Sequence, residues 1–288
     1  MDRYFPVYEG RVAVASFILS VSSLLVLAVN VQPLVAAIVE SICLALLALF
    51  YSKHIVKVVL VSYALGVVFA FGILIALSGK SYAFLGVYLM SLTFFHLSEY
   101  VTTSIFNAHT LSVNSFLINH SREYIIAAVV SWIEYGVEYY FFPQLKSMKI
   151  VCIVGTLLVV FGESLRKISM FTAASNFTHI VQYRKRDSHE LVTSGVYSVF
   201  RHPSYVGWFY WSVGTQVLLC NPVSLIGYAA ASWMFFNERI FDEEKTLIQF
   251  FKEDYVQYKK TVGTGIPGIP GFPLEKVPWL LKLTTGSN

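Results

Sequence analysis

Arg201, His202, Pro203, Ser204 and Tyr205 stand in a row inside the stretch HELVTSGVYSVFRHPSYVGWFYW, residues 189–211. Proline costs nothing in the first turn of a helix, where its missing amide would be unpaired anyway, and it biases the preceding residue towards extended backbone. The motif therefore predicts a helix start, with Arg201 and His202 just ahead of it. Such a start carries unpaired N–H groups and the positive end of the helix dipole, both of which favour a bound carboxylate or phosphate. Tyr205, Val206, Trp208, Phe209, Tyr210 and Trp211 follow at once, so an anion-friendly collar opens onto an aromatic wall at membrane depth. A second pair, Arg239 and Glu243, has i, i+4 spacing and shares one helix face. It is either an intrahelical ion pair worth about 0.3–0.5 kcal/mol or two groups with separate tasks, the planar arginine fork being suited to a carboxylate.

These residues need a scaffold, and composition says of what kind. The chain has 288 residues, 56% of them hydrophobic and 13% charged, with a mean hydropathy of +0.62, outside the range of soluble globular domains. Its apolar runs have helix length and lack the alternation of a β-barrel, so the fold class is an all-α integral membrane protein. Net charge is +4, and the basic residues lie in loops between spans, a pattern that speaks for membrane orientation and not for nucleic acid. Cys43, Cys152 and Cys220 each sit in an apolar run and read as small core residues, with neither a disulfide framework nor a metal site suggested. The C-terminus is not a CaaX box, which predicts that the chain is not itself prenylated.

Spans are expected at 12–30, 33–51, 58–79, 82–106, 124–142, 150–173, 204–219 and 222 to about 238, about eight in all. The first two form an uncleaved hairpin turning at Asn30, Val31, Gln32 and Pro33. The last is expected to run on as a charged helix through 238–260. Gly263 and the TGIPGIPGFP run behind it are too rich in glycine and proline for helix or central strand and predict an ordered loop or lid. Trp279, Leu280 and Leu281 could lie on the membrane surface. Lysine and arginine counts put both termini and the 174–203 loop in the cytosol. Neither sequon, at Asn119 and Asn176, is then expected to be glycosylated.

Glu134 and Glu138, one turn apart, are either functional intramembrane carboxylates or structural ones paired with a neighbouring helix. Glu163 sits inside the sixth span, and Arg166 is open between a lipid headgroup and a substrate contact.

Residues from about 150 to 273, above all RHPSYVGW, NERIFDEE and the GIPGIP tail, resemble the isoprenylcysteine carboxyl methyltransferases. The resemblance implies a multi-pass endoplasmic-reticulum enzyme that uses S-adenosylmethionine, and no metal, to methylate the C-terminal carboxylate of a prenylated cysteine on processed CaaX proteins such as small GTPases. It implies a cofactor site drawing on Gln182, His189, Glu190, Leu191, Val192, Tyr197, His202, Pro203, Ser204, Tyr205 and Glu243. Arg239 would bind and orient the substrate carboxylate as the catalytic residue, with Trp208 as a further substrate contact. Residues 1–145 would then be a transmembrane scaffold on the lipid and substrate side. Residues 146–288 would be the catalytic region, with a cytosolic cofactor pocket and the last membrane helices. The prenyl chain is expected to enter sideways from the bilayer, with 94–106 and 204–211 as the suggested opening, and the first hairpin could mediate a homodimer. An NADPH-dependent sterol reductase carries a similar C-terminal segment, and phospholipid N-methylation uses the same cofactor; no dinucleotide fingerprint supports the former, and an arginine suits a cationic headgroup poorly.

Overall fold

The computed structural model describes residues 5–29, 52–119, 121–187 and 189–277. The predicted span 33–51, Cys43 and the Trp279 segment lie outside them. The described residues are helical, joined by 3-10 turns and irregular segments. The chain divides into two compact units, residues 1–156 with 215–224, and 157–214 with 225–288.

In the first unit, α1 (Phe5–Val29), α2 (Lys53–Ala76) and α3 (Ala83–Phe106) pack together. All three are long and apolar enough to cross a membrane, over Tyr8–Val26 in α1 and over the whole of the other two. Helix α2 begins five residues before the predicted span because Ser52 caps it, its hydroxyl accepting from the Ile55 N–H at 3.4 Å. The core gathers Ala13, Phe17, Val58, Leu65, Leu97, Tyr100 and Phe116. Polar ties run through it. The Glu9 carboxylate accepts from the Tyr100 hydroxyl and lies against His54 Nε2, both at 3.0 Å. His96 Nδ1 donates to the Phe116 carbonyl at 2.8 Å, which leaves Nε2 to accept from Tyr124 at 3.3 Å and pins the turn at Phe116 to α3.

Helix α4 (Arg122–Phe141) starts on the Ser121 cap and carries Glu134 and Glu138. Both carboxylates have structural partners. Glu134 accepts from the backbone N–H groups of Val223 and Ser224, each at 2.7 Å, and so caps the start of α7 (Pro222–Phe251). Glu138 takes the Lys146 ammonium at 2.6 Å, and the same ammonium reaches the carbonyls of Leu219 and Cys220 and the side chain of Asn221 within 3.0 Å. Those carbonyls follow the end of α6 (Pro203–Leu218), so a buried lysine completes a helix C-terminus. Cys152 and Cys220 are buried free thiols.

The second unit holds the greater part of α5 (Lys149–Ala173), α6 and α7, with α8 (Glu253–Thr261). Glycines let α5 and α6 touch backbone to backbone as antiparallel helices. A Cβ on Gly162 would meet the Trp211 nitrogen at 2.4 Å, and one on Gly207 would meet the Gly162 oxygen at 2.6 Å and the Arg166 nitrogen at 2.7 Å. Buried within this packing, the Arg166 guanidinium lies 4.7 Å over the Trp208 ring and donates to the Ser204 carbonyl at 3.3 Å. Glu163 pairs with Lys167 one turn on, at 3.4 Å.

The single charged extension predicted through 238–260 is broken. Helix α7 runs unbroken to Phe251, Lys252 turns the chain at φ +48°, and α8 begins anew. Glu253 and Asp254 in its first turn and Lys259 and Lys260 in its last suit a separate helix dipole, and the turn buries Tyr255, Val256 and Tyr258. Beyond it the GIPGIP segment is ordered, with Ile266, Ile269 and Phe272, each three residues apart, packed into the core.

Valine at Gly162 is expected to cost more than the roughly 1–3 kcal/mol of ordinary overpacking, because backbone must move. Alanine at Gly136 on α4, where an added Cβ meets nothing within 4 Å, is expected to leave stability unchanged or raise it by about 0.5–1 kcal/mol. Thermal unfolding of both variants in detergent checks the contrast.

Candidate active site

Pro203 is the first residue of α6, as its chemistry predicts. His202 immediately precedes the helix, and its carbonyl accepts from the N–H groups of Tyr205 and Val206 at 3.0 and 3.1 Å. One residue earlier, the Arg201 N–H donates to the Gly263 carbonyl at 2.8 Å, beside a parallel bridge between Phe200 and Gly263.

An open-mouthed pocket with a cavity of about 110 Å³ lies beside this helix start, within the second unit. The loop after α5 supplies Gln182, His189, Glu190, Leu191, Val192 and Tyr197 to its wall. The start of α6 supplies His202, Ser204 and Tyr205, and α7 supplies Glu243. Of the predicted cofactor residues only Pro203 is missing from the wall; it is buried beneath it. Arg239 and Trp208 also lie off the wall.

Arg239 and Glu243 meet through a third residue. The Tyr205 hydroxyl donates to Glu243 Oε2 and accepts from Arg239 Nε at 3.1 Å. Arg239 Nη2 donates to the His179 carbonyl at 2.5 Å, so the guanidinium is held from two sides with part of its fork left over. The Tyr205 ring is stacked between His202, at 5.6 Å, and Phe236, at 5.1 Å, which fixes where its hydroxyl can be. Spacing placed the ion and the acid on one face; the tyrosine joining them comes from another helix and was not predicted as a bridge.

Two wall atoms have no partner among the described residues. His189 Nδ1 and the Tyr255 hydroxyl are buried without a hydrogen bond, a costly state unless a polar ligand completes them. Burial first, and then the nearby charges of Arg186 and Lys185, lower the His189 pKa and favour the neutral imidazole. The His189 ring lies edge-on to Phe250 and Phe251, which also line the pocket.

Glu244 was overlooked in favour of its neighbour. It has no exposed surface and accepts from Arg201 Nε at 2.7 Å, Lys259 Nζ at 2.5 Å and the Phe272 N–H at 2.8 Å, with His202 Nε2 3.3 Å away. Burial alone would raise its pKa. The hydrogen bond from His202, with the charges of Arg201 and Lys259, more than reverses this and holds it down to about 2. The usable sequence signal was adjacency: consecutive helical residues point about 100° apart, so of two neighbouring glutamates one faces the pocket and one the interior.

A carboxyl held below its ordinary value of 4.5 contributes stability that is complete above that value and is lost as pH falls towards about 2. Wild-type thermal stability is expected to fall across that window, and Glu244→Gln is expected to flatten the fall while lowering stability at neutral pH. Unfolding temperature against pH for both proteins checks this.

The family model described as the isoprenylcysteine carboxyl methyltransferase family matches residues 153–249. A protein-S-isoprenylcysteine O-methyltransferase of Xenopus laevis is 50% identical, covering 93% of this chain and 97% of its own length. The human protein of that name is 51% identical over 80% of this chain and 81% of its own. A solved structure of a eukaryotic intramembrane Ras methyltransferase, isoprenylcysteine carboxyl methyltransferase, is 40% identical with a TM-score of 0.85, covering 92% of this chain and 99% of that one. A relative so close along almost its whole length leaves no doubt of membership, and this chain belongs to the isoprenylcysteine carboxyl methyltransferase family.

Proposed function

We propose that this chain is a multi-pass membrane methyltransferase that esterifies the C-terminal carboxylate of a prenylated cysteine, using S-adenosylmethionine. The observation that carries the reading is that ten of the candidates line one pocket, nine from the 182–205 stretch and one from α7: Gln182, His189, Glu190, Leu191, Val192, Tyr197, His202, Ser204, Tyr205 and Glu243. The names of the close relatives specify the carboxyl O-methyl reaction and not sterol reduction or amine methylation.

The donor set fits the cofactor. The positive end of the α6 dipole beside His202 suits its carboxylate, Glu243 suits its ammonium, and the unpaired His189 and Tyr255 atoms suit further polar groups. When bound, S-adenosylmethionine supplies an electrophilic methyl group. An α-carboxyl with a pKa of about 3.5 is already ionised at neutral pH, so no residue need act as a strong base. The chain's contribution is orientation and exclusion of water. Arg239, braced by Tyr205 and His179, offers the rest of its fork to the substrate carboxylate. Trp208, packed on Arg166, is in this reading a further substrate contact.

In this reading residues 1–145 are the membrane scaffold and 146–288 the catalytic region. About eight helices span an endoplasmic-reticulum membrane, with termini and cofactor pocket cytosolic. Prenylated CaaX proteins such as small GTPases are the substrates, the prenyl chain enters from the lipid, and two copies could pair through the first hairpin.

Transfer of labelled methyl to a synthetic farnesylcysteine tests this in detergent or liposomes. Wild type is expected to methylate it. Glu243→Ala is expected to raise KM for the methyl donor, whereas Arg239→Ala is expected to leave donor binding intact and lower kcat by roughly 10- to 100-fold, the scale of a lost charge-assisted contact. No transfer by a folded wild type that binds S-adenosylmethionine would reject the substrate assignment.

A further inference from the structure

Glu244, on α7, gathers groups from three other parts of the second unit: the collar ahead of α6 through Arg201 and His202, Lys259 on α8, and the backbone of Phe272. Arg201, so held, donates onward to the carbonyls of Val262 and of Pro270, the latter at 3.1 Å. Lys259 adds a second donor to the Pro270 carbonyl at 2.9 Å. The irregular strap 262–272 is thus fastened at both ends to one carboxylate and its two cations. The strap is shaped for the contact: Gly271 has φ +77°, and a Cβ there would stand 2.0 Å from Glu244 Oε2.

The same carboxylate decides how His202 faces the pocket. A carboxylate only accepts, so the imidazole nitrogen beside it, Nε2, must carry the proton. The neutral ring then keeps a lone pair on Nδ1, which lies 4.0 Å from Glu243 Oε1, the acid on the pocket wall. We propose that Glu244 is a positioning residue, latching the 262–272 strap and holding His202 as the Nε2–H tautomer so that Nδ1 meets the pocket ligand as a hydrogen-bond acceptor. The consequence for ligand binding rests on the reading of that pocket as the S-adenosylmethionine site; the latch and the tautomer do not.

The test uses the full chain in detergent or nanodiscs and three readouts. Nitrogen spectra of 15N-histidine-labelled protein, with His202 assigned by the difference from His202→Gln, are expected to show Nε2 protonated and Nδ1 bare in the ligand-free wild type. Glu244→Gln and Gly271→Ala attack the latch from its two sides, and the second keeps every charge. Both are expected to speed cleavage within 262–272 by a nonspecific protease. Each is also expected to weaken S-adenosylhomocysteine binding by about tenfold or more, the scale of a lost hydrogen bond to a charged group, raising KM for the methyl donor while kcat stays within about threefold. A proton on Nδ1 of His202 in wild type, or wild-type cleavage and binding in Gly271→Ala, would overturn the proposal even if Glu244→Gln does not fold. A wild type that fails to bind S-adenosylhomocysteine would instead sink the cofactor assignment, with spectra and cleavage still deciding the latch.

Discussion

A buried carboxylate is tolerable only when donors surround it, and the second unit is arranged around that requirement at Glu244. Water solvates a glutamate well, and without water the cost is met here by a guanidinium, an ammonium, an imidazole and a backbone amide. The donors come from three separate parts of the chain, so none can leave without stranding charge. An ordered GIPGIPGFP strap becomes understandable on these terms: it has no ladder hydrogen bonds of its own, and it is held by Ile266, Ile269 and Phe272 in the core and by Arg201 and Lys259 on its carbonyls.

The first unit solves a related problem in apolar surroundings. Helix α4 has only Ser131 buried among its described side chains, and its exposed face is Ile, Val and Trp, a surface suited to lipid. Its two glutamates face polar helix ends. Glu134 supplies acceptors where α7 begins with unpaired N–H groups, and Glu138 with Lys146 supplies a donor where α6 ends with unpaired carbonyls. A lone charge in this setting would be expensive; as caps, these groups satisfy backbone that hydrocarbon cannot.

Much of the site was legible because it is local. RHPSY specifies a helix start through the covalent chemistry of proline alone, and that start is where Pro203 predicts it. The i, i+4 placement of Arg239 and Glu243 follows from helical pitch. Less legible were contacts between segments far apart in the chain: the Tyr205 hydroxyl between arginine and acid, Tyr255 on the pocket wall, and Glu244 as a hub. The break at Lys252 escaped prediction too, since no proline or glycine marks it and the acidic start of α8 reads equally well as the middle of a longer charged helix.

By itself the sequence determined that this is a helical membrane protein, where several of its helices lie, and which residues could bind an anion or a carboxylate, because hydropathy, pitch and proline act within a few residues of themselves. Only the tertiary structure decided which of two adjacent glutamates faces the pocket and which faces the interior, which carboxylates cap helices, and how close α5 and α6 approach at Gly162 and Gly207. Those outcomes depend on what stands opposite each residue, and partners 30 to 90 positions away are set by packing and by the need to satisfy every buried charge.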